Sequence, residues 1–172
     1  MDSFSAQRAI KTYSYRIPET PARLFPLLCP VREYDWIDGW TCRMIFSRSG
    51  LAEDNCVFQT DFKGAGEETW VVSRYDPERF IIQFVVLNPG LYVMKLDVSL
   101  RADGEAGTIV DWTNTFTGLT EKGNAFITEY TDQRHAAVMS HLEQALRHYC
   151  LTGQMLKAPS TRKDPRSAQP RT

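Results

Sequence analysis

The stretch TIVDWTNTFT, residues 108–117, places a large apolar side chain at most of its even-numbered positions. Successive side chains of a strand point to opposite faces of a sheet, so Val110, Trp112 and Phe116 should share one face. Asn114 lies on that same face, between Trp112 and Phe116. The stretch therefore predicts a strand with one buried face that includes an amide.

Segments of the same kind precede this strand, and each ends at a short turn. Asn88-Pro89-Gly90 separates two of them and suits a type II turn, because glycine tolerates the positive φ that this turn requires. Connections this short cannot hold crossover helices, so the strands must be antiparallel neighbours. We predict a six-strand meander over Cys42–Ser47, Val57–Phe62, Glu67–Tyr75, Phe80–Leu87, Leu91–Leu100 and Thr108–Thr117.

The chain before the meander predicts one further strand and short helices. Residues 9–17 are rich in β-forming side chains, and Thr20-Pro21 is a typical helix start. Pro26 and Pro30 restrict the helices that follow to short pieces, because proline inside a helix removes a hydrogen bond. The segment then becomes aromatic and acidic and should end in a turn at Asp38-Gly39.

The chain after the meander predicts one long helix from Glu121 to Gly153, with Thr120 as its N-cap. The apolar stripe of this helix, at spacings of three and four, is Val138, Met139, Leu142, Ala145, Leu146 and Tyr149. A helix of this length can cross a whole sheet, so it should cover the apolar face. It cannot fill the concavity of a strongly curved sheet, so either the first helices fill the gap or a cavity remains.

This order of elements resembles the helix-grip fold of the SRPBCC superfamily, which includes START-type lipid carriers, pollen-allergen-like proteins, polyketide cyclases and heat-shock ATPase activators. The segment CPVREYDWIDGW, residues 29–40, also resembles a signature of uncharacterised bacterial SRPBCC proteins. The resemblance covers residues 8–156. It implies an α+β fold in which a curved seven-stranded antiparallel sheet (a strand, two short helices and a six-strand meander) grips a long C-terminal helix over a deep apolar cavity. It supplies no catalytic residues, because this superfamily uses one scaffold for binding, transport, cyclisation and regulation.

Composition excludes several classes of partner. The 172 residues include 20 basic and 21 acidic side chains, without the basic excess of a dedicated nucleic-acid-binding protein. No apolar run is long enough to span a membrane, and the first residues lack the features of a secretion signal. The four cysteines form no C-x-x-C pair and match no zinc-binding spacing. We therefore expect a cytoplasmic protein with reduced thiols, no metal and no cofactor.

Residues 157–172 differ from the rest of the chain. They contain five basic side chains and three prolines but no aromatic residue. Such a segment cannot bury enough apolar surface to offset its ordering entropy. We therefore predict a single ligand-binding domain over residues 1–156 and a disordered tail over residues 157–172, with a basic arm for an anionic partner as the alternative.

Aromatic and polar side chains are candidates for the wall of the implied cavity. Aromatic rings give large contact areas with defined stacking geometry, so they indicate either a site for a ring-containing ligand or ordinary core. The candidate ligand-binding residues are Tyr34, Trp36, Trp40, Trp70, Tyr92, Met94, Trp112, Asn114, Phe116 and His135.

The polar candidates each have two interpretations. Asn114 either bonds a structural neighbour or water, or orients a ligand oxygen. His135, in line with the helix stripe, is either a structural histidine or a cavity acid or base.

Acidic side chains offer a separate possibility. The trio Glu33, Asp35 and Asp38 could serve as general acids and bases, but we interpret it as a solvated loop, and we interpret Glu67-Glu68 in the same way.

Three functions from different classes follow. The first is binding, with transport as an extension, of a small hydrophobic, aromatic or lipid-like molecule in the cavity. The second is a cyclase or dehydratase that uses the same cavity. The third is regulation through the protein surface, as in the chaperone-activating relatives. A polar cluster with shifted pKa values would favour the second, and a filled cavity beside an exposed apolar patch would favour the third.

Overall fold

The computed structural model describes residues 4–62 and 66–157, and the strands in these ranges form one antiparallel sheet. The strands are β1 Arg8–Ile17, β2 Cys42–Phe46, β3 Val57–Phe62, β4 Gly66–Asp76, β5 Ile81–Asn88, β6 Tyr92–Ala102 and β7 Thr108–Gly118. Their order in the sheet is β1-β7-β6-β5-β4-β3-β2. The predicted meander is therefore confirmed, and the first strand pairs with the last. The predicted disordered tail lies, from residue 158 onwards, outside the described residues.

The predicted strand faces are also observed. Burial alternates along the whole of β7, with Val110, Trp112, Asn114 and Phe116 buried. Trp112 lies opposite Val98 of β6 in the register, so the apolar faces of the two strands are continuous. The sheet therefore presents one broad apolar face.

Short helices connect β1 to β2, as the prolines predict. The helix α1 spans Pro21–Leu24 and continues as a 3₁₀ helix over Phe25–Leu28, with Pro26 near its start. A second 3₁₀ helix spans Glu33–Asp35. Helix α1 and the first 3₁₀ helix bury Leu24, Phe25, Leu27 and Leu28 in the core.

The terminal helix is not continuous, and the prediction of one helix over 121–153 was wrong. Helix α2 spans Glu121–Glu129 and helix α3 spans Asp132–Thr152. Tyr130 leaves the helical conformation at ψ 72°, and the Thr131 side chain accepts a hydrogen bond from the Arg134 N–H. Threonine is a strong N-cap, so a new helix begins at this point. The predicted end at Gly153 is confirmed by its left-handed conformation.

Helix α3 covers the sheet with the predicted face. His135, Met139, Ala145 and Leu146 are buried, whereas Val138 is 47% exposed. Val138 nevertheless lies on the same side of the helix, because it lines the open space between the helix and the sheet. Its exposure marks the place where this inner side reaches solvent.

Helix α2 packs very closely against the turn between β5 and β6. A Cβ atom at Gly123 would lie 1.7 Å from the Leu91 carbonyl oxygen, so only glycine fits at this position. Asn124 on the same helix accepts a hydrogen bond from the Gln7 N–H at 2.8 Å. Helix α2 is thereby fixed against both the meander and the start of β1.

None of the helices within residues 4–62 and 66–157 has the length and apolar character needed to cross a membrane.

A pair of leucine substitutions tests the placement of α3. Leu146 is fully buried, so Leu146→Ala should lower the free energy of unfolding by about 2–5 kcal/mol. Leu142 is only partly buried, and Leu142→Ala should cost less because its side chain borders open space. Urea unfolding measures both values. Equal losses in the two variants would contradict this orientation of the helix.

Candidate ligand cavity

A cavity of about 510 Å³ lies between the apolar face of the sheet and the helices that cover it. Ligand sites of small molecules typically have this size and a mostly apolar lining with a few polar groups. The side chains that line it are Leu28, Pro30, Glu33, Trp36, Ile37, Trp40, Phe58, Glu68, Trp70, Phe84, Tyr92, Met94, Leu96, Val98, Trp112, Asn114, Phe116, Phe126, Tyr130, Arg134, His135, Val138, Met139 and Leu142. Arg134 and Val138 are also exposed, so the cavity reaches solvent beside α3.

Two tryptophans that follow the short helices form part of the wall. The indole N–H of Trp36 donates to the Leu27 carbonyl at 2.9 Å, and that of Trp40 donates to the Pro30 carbonyl at 2.8 Å. Both rings are thereby fixed to the backbone of their own segment. Tyr34, in contrast, is 44% exposed and does not line the cavity. Its hydroxyl donates to the carbonyl and accepts from the N–H of Cys42, which fastens this segment to the start of β2.

The sheet supplies the other two tryptophans. Trp70 donates to the Thr60 hydroxyl at 2.9 Å, and Trp112 donates to the Tyr15 hydroxyl at 3.1 Å. Phe58 stacks on Trp70 with ring centroids 5.5 Å apart. The sheet side of the cavity is therefore an ordered aromatic surface.

A second aromatic cluster closes the end of the cavity beside α2. Tyr92 stacks on Phe126 at 5.0 Å, and Phe126 stacks on Tyr130 at 6.0 Å. Phe116 contacts both Tyr92 and Tyr130 edge to face. The sequence analysis selected Tyr92 and Phe116 but missed Phe126 and Tyr130. Phe126 lies on α2, and Tyr130 lies at the break between α2 and α3.

Asn114 faces the cavity with an unpaired oxygen. Its side chain is buried, and the amide nitrogen donates to the Met94 sulfur at 3.2 Å. The Oδ1 atom has no hydrogen-bond partner among the described residues. A buried carbonyl without a partner costs about 1–3 kcal/mol, so a hydrogen-bond donor placed in the cavity would be stabilised here.

His135 presents a second unpaired atom. Its Nδ1 lies 3.3 Å from the Tyr130 hydroxyl, while Nε2 is buried and has no partner in the described part of the chain. Burial, with a smaller contribution from the charge of Lys11, lowers the pKa of His135 below its ordinary value. The ring is therefore neutral at pH 7, and when Tyr130 donates to Nδ1, Nε2 carries the proton and can donate.

The interpretation of Glu67-Glu68 as a solvated pair was wrong for Glu68. Glu68 is 4% exposed and lines the cavity, whereas Glu67 is exposed on the opposite face of β4. The Tyr92 hydroxyl donates to the Glu68 carboxylate. Burial raises the pKa of Glu68, although this hydrogen bond opposes the shift. The alternation of side chains along a strand predicts the inward position of Glu68, because Glu68 lies two residues before the inward-facing Trp70.

The interpretation of the acidic trio as a solvated loop was wrong for Glu33. Its side chain lines the cavity beside Trp36, Ile37 and Trp40, while Asp35 forms an ion pair with Arg32 at 2.7 Å. Burial raises the pKa of Glu33 to about 8, since the ionised form loses its hydration there. Spacings of three and four residues from Glu33 to Trp36 and Ile37 are the signal that places it on the same side.

No group of three or more His, Cys, Asp or Glu side chains within residues 4–62 and 66–157 is arranged to hold a metal ion. The four cysteines in these ranges are free thiols.

Neither a family model nor a curated protein matches this chain. Solved structures do match it. Norcoclaurine synthase from Thalictrum flavum, in complex with dopamine and hydroxybenzaldehyde, superposes with a TM-score of 0.64 at 9% identity, over 86% of this chain and 88% of that chain. The chain has the helix-grip fold.

Two further structures show the same architecture. The Zhui aromatase/cyclase from Streptomyces sp. R1128 superposes with a TM-score of 0.63 at 10% identity, over 87% of this chain and 100% of that chain. Ara h 8.0201 superposes with a TM-score of 0.59 at 14% identity, over 85% and 99% of the two chains. The predicted resemblance to the SRPBCC superfamily is therefore confirmed at the level of the fold.

The raised pKa of Glu33 gives a testable pH dependence of stability. The carboxyl is protonated in both states below its ordinary value of 4.5, and only the folded state keeps the proton as the pH rises towards about 8. Its contribution to stability is thus present at low pH and is lost as the pH rises through this window. Glu33→Gln removes the ionisable group, and since the side chain keeps some exposure we expect a gain of about 1–3 kcal/mol at about pH 9 relative to about pH 4.

Denaturant unfolding of the wild type and of Glu33→Gln at the two pH values measures this difference. Glu67→Gln, which changes the exposed neighbour of Glu68, serves as the control and should show no pH-dependent gain. A Glu33→Gln effect that is the same at both pH values would show that the Glu33 carboxyl is hydrated.

Proposed function

We propose that this chain binds a small, neutral, largely aromatic molecule in the cavity between the sheet and α3. The observation that carries the proposal is the combination of an open volume of about 510 Å³ with two unpaired buried polar atoms that face it. A ring system would contact the aromatic walls, and a polar substituent would pair with Asn114 or His135. Binding and release, and thus transport, require only the opening beside α3.

The chemistry of the two polar atoms favours a hydroxyl as that substituent. Asn114 Oδ1 is an acceptor and needs a donor. A protonated His135 Nε2 is a donor and needs an acceptor. A hydroxyl group can donate to the first and accept from the second, whereas a ketone or an ether can only accept.

The other two functions differ in their support. The open cavity does not meet the condition for a protein that acts only through its surface, for which we expected a filled interior. An enzyme of the cyclase or dehydratase kind remains the alternative, since Glu33 and Glu68 place carboxyl groups with raised pKa values in the lining. Because the chain has a net charge of −1, we propose a small-molecule partner rather than a nucleic acid. Because its four cysteines are free thiols, we propose a reducing location such as the cytoplasm.

Calorimetric titration with 2-naphthol and 2-methoxynaphthalene tests the proposal. The two probes share a ring system, but only 2-naphthol has a hydroxyl that can donate to Asn114 Oδ1. We expect one 2-naphthol molecule per chain and tighter binding than for 2-methoxynaphthalene. Absence of binding for both probes would overturn the proposed function.

Asn114→Leu separates the hydrogen bond from the apolar contacts. Leucine is similar in volume and removes the unpaired amide, so the fold should persist while 2-naphthol loses about 1–3 kcal/mol of binding free energy. The affinity for 2-methoxynaphthalene should stay the same. Thr113→Val, on the opposite face of β7, is the matched control and should leave both affinities unchanged. An equal loss for the two probes would mean that Asn114 does not contact the hydroxyl.

A further inference from the structure

Glu33 is held rigidly at the wall of the cavity. Its N–H donates to the Cys29 carbonyl at 3.0 Å, and its own carbonyl accepts from the N–H groups of Trp36 at 3.2 Å and Ile37 at 2.9 Å. The two tryptophans that follow it are fixed in turn by their indole hydrogen bonds. The side chain therefore starts from a fixed backbone and is surrounded by fixed apolar walls.

No side chain within the described residues neutralises or hydrogen-bonds the Glu33 carboxylate. The adjacent cation, Arg32, donates to Asp35 at 2.7 Å. On β2, burial and, less strongly, the negative charge of Glu33 raise the pKa of the Cys42 thiol, which donates to the Pro30 carbonyl. An ionised carboxylate in such surroundings lacks the hydrogen bonds that weaken its basicity in water.

Other titratable or charged groups line the same cavity from β4, β6, the break between α2 and α3, and α3 itself. They are Glu68, Tyr92, Tyr130, Arg134 and His135. Glu68 is engaged by Tyr92, and Tyr130 lies within hydrogen-bond distance of His135. Glu33 is thus the carboxyl group of the lining that is left available to a ligand.

We propose that Glu33 is a general base that removes a carbon-bound proton from a ring-containing ligand held in this cavity. The proposal rests on the proposed function, because a ligand must first enter the cavity. The suitable ligand class is a cyclic carbonyl compound with a hydrogen on the neighbouring carbon and a carbon–carbon double bond next to that carbon, so that loss of the proton gives an anion delocalised over both double bonds. The geometry supplies what the step needs, which is a carboxylate carried on a fixed backbone beside aromatic walls that orient a flat ring.

The reaction balances without a further reactant. The ligand C–H bond breaks, an O–H bond forms on Glu33, and the electron pair of the broken bond is delocalised into the carbonyl group as an enolate. Glu33 then returns the proton to a different carbon of the same delocalised anion. The net change is the migration of a double bond, and neither an oxidant nor a reductant takes part.

The ring opening of 5-nitrobenzisoxazole is a direct assay for such a base, because this small aromatic probe reacts in one step. Removal of its C3 proton converts the C–H electron pair into a bond of the nitrile, while the N–O bond breaks and leaves the coloured phenolate. The proton transferred to Glu33 is afterwards released to water. Absorbance of the phenolate gives kcat/KM as a function of pH.

We expect kcat/KM to rise with pH and to level off above an inflection near 8, since only the ionised carboxylate accepts a proton. Glu33→Gln should lower the plateau by roughly 100-fold or more. Glu33→Asp should retain part of the activity with an inflection, because it keeps a carboxylate at the site. Glu67→Gln, an exposed carboxyl on the outer face of β4, should match the wild type.

Three outcomes would overturn the proposal. They are a wild-type profile without an inflection, a Glu33→Gln variant with unchanged kcat/KM, and a loss of activity in Glu68→Gln without a loss in Glu33→Gln. A wild-type profile without an inflection overturns the proposal even if a variant fails to fold, and Glu33→Asp tests the assignment to Glu33 if Glu33→Gln does not fold. Titration with 2-naphthol separates this proposal from the proposed function. Binding without ring opening rejects the base alone, whereas the absence of both rejects the binding cavity as well.

Discussion

The cavity depends on the hydrogen bonds that fix its four tryptophans. Each indole N–H donates to one acceptor, and the acceptors are the carbonyls of Leu27 and Pro30 and the hydroxyls of Thr60 and Tyr15. Without these hydrogen bonds, the large rings could rotate into the apolar space and fill it, because protein interiors favour close packing. Such a rotation would leave a buried N–H unpaired at a cost of about 1–3 kcal/mol, so the rings remain at the wall.

The two pairs of acceptors also explain why both layers of the fold are needed. Two of them belong to the segment between β1 and β2, whose prolines prevent a long helix and leave carbonyl groups available. The other two acceptors, the hydroxyls of Thr60 and Tyr15, belong to strands β3 and β1 of the sheet. The short helices therefore wall the cavity instead of filling it, and α3 covers the remainder.

The sequence predicts the sheet well because alternation is a local signal that burial enforces in every strand. The same argument, applied to β4, would have placed Glu68 inward with Trp70, but the acidic pair beside a glycine-rich turn suggested a solvated end. The break at Thr131 was missed because the apolar spacing of α3 extends back towards α2, while one capping hydrogen bond decides the boundary. The volume of the cavity could not be predicted, since it depends on sheet curvature and on the indole hydrogen bonds.

Burial shifts the pKa values of Glu33 and His135 in opposite directions, and both shifts favour the neutral form. His135 becomes charged only as the pH falls through its lowered pKa, and Glu33 only as the pH rises through about 8. Between these limits both groups are neutral and offer no counter-ion to a charged ligand, while the cationic Arg134 lies at the exposed side. We therefore expect the same environment to favour a neutral ring compound at pH 7 and to let Glu33 accept a proton once it ionises. The proposed binding selectivity and the proposed basicity thus have one physical cause, the poor hydration of this carboxyl.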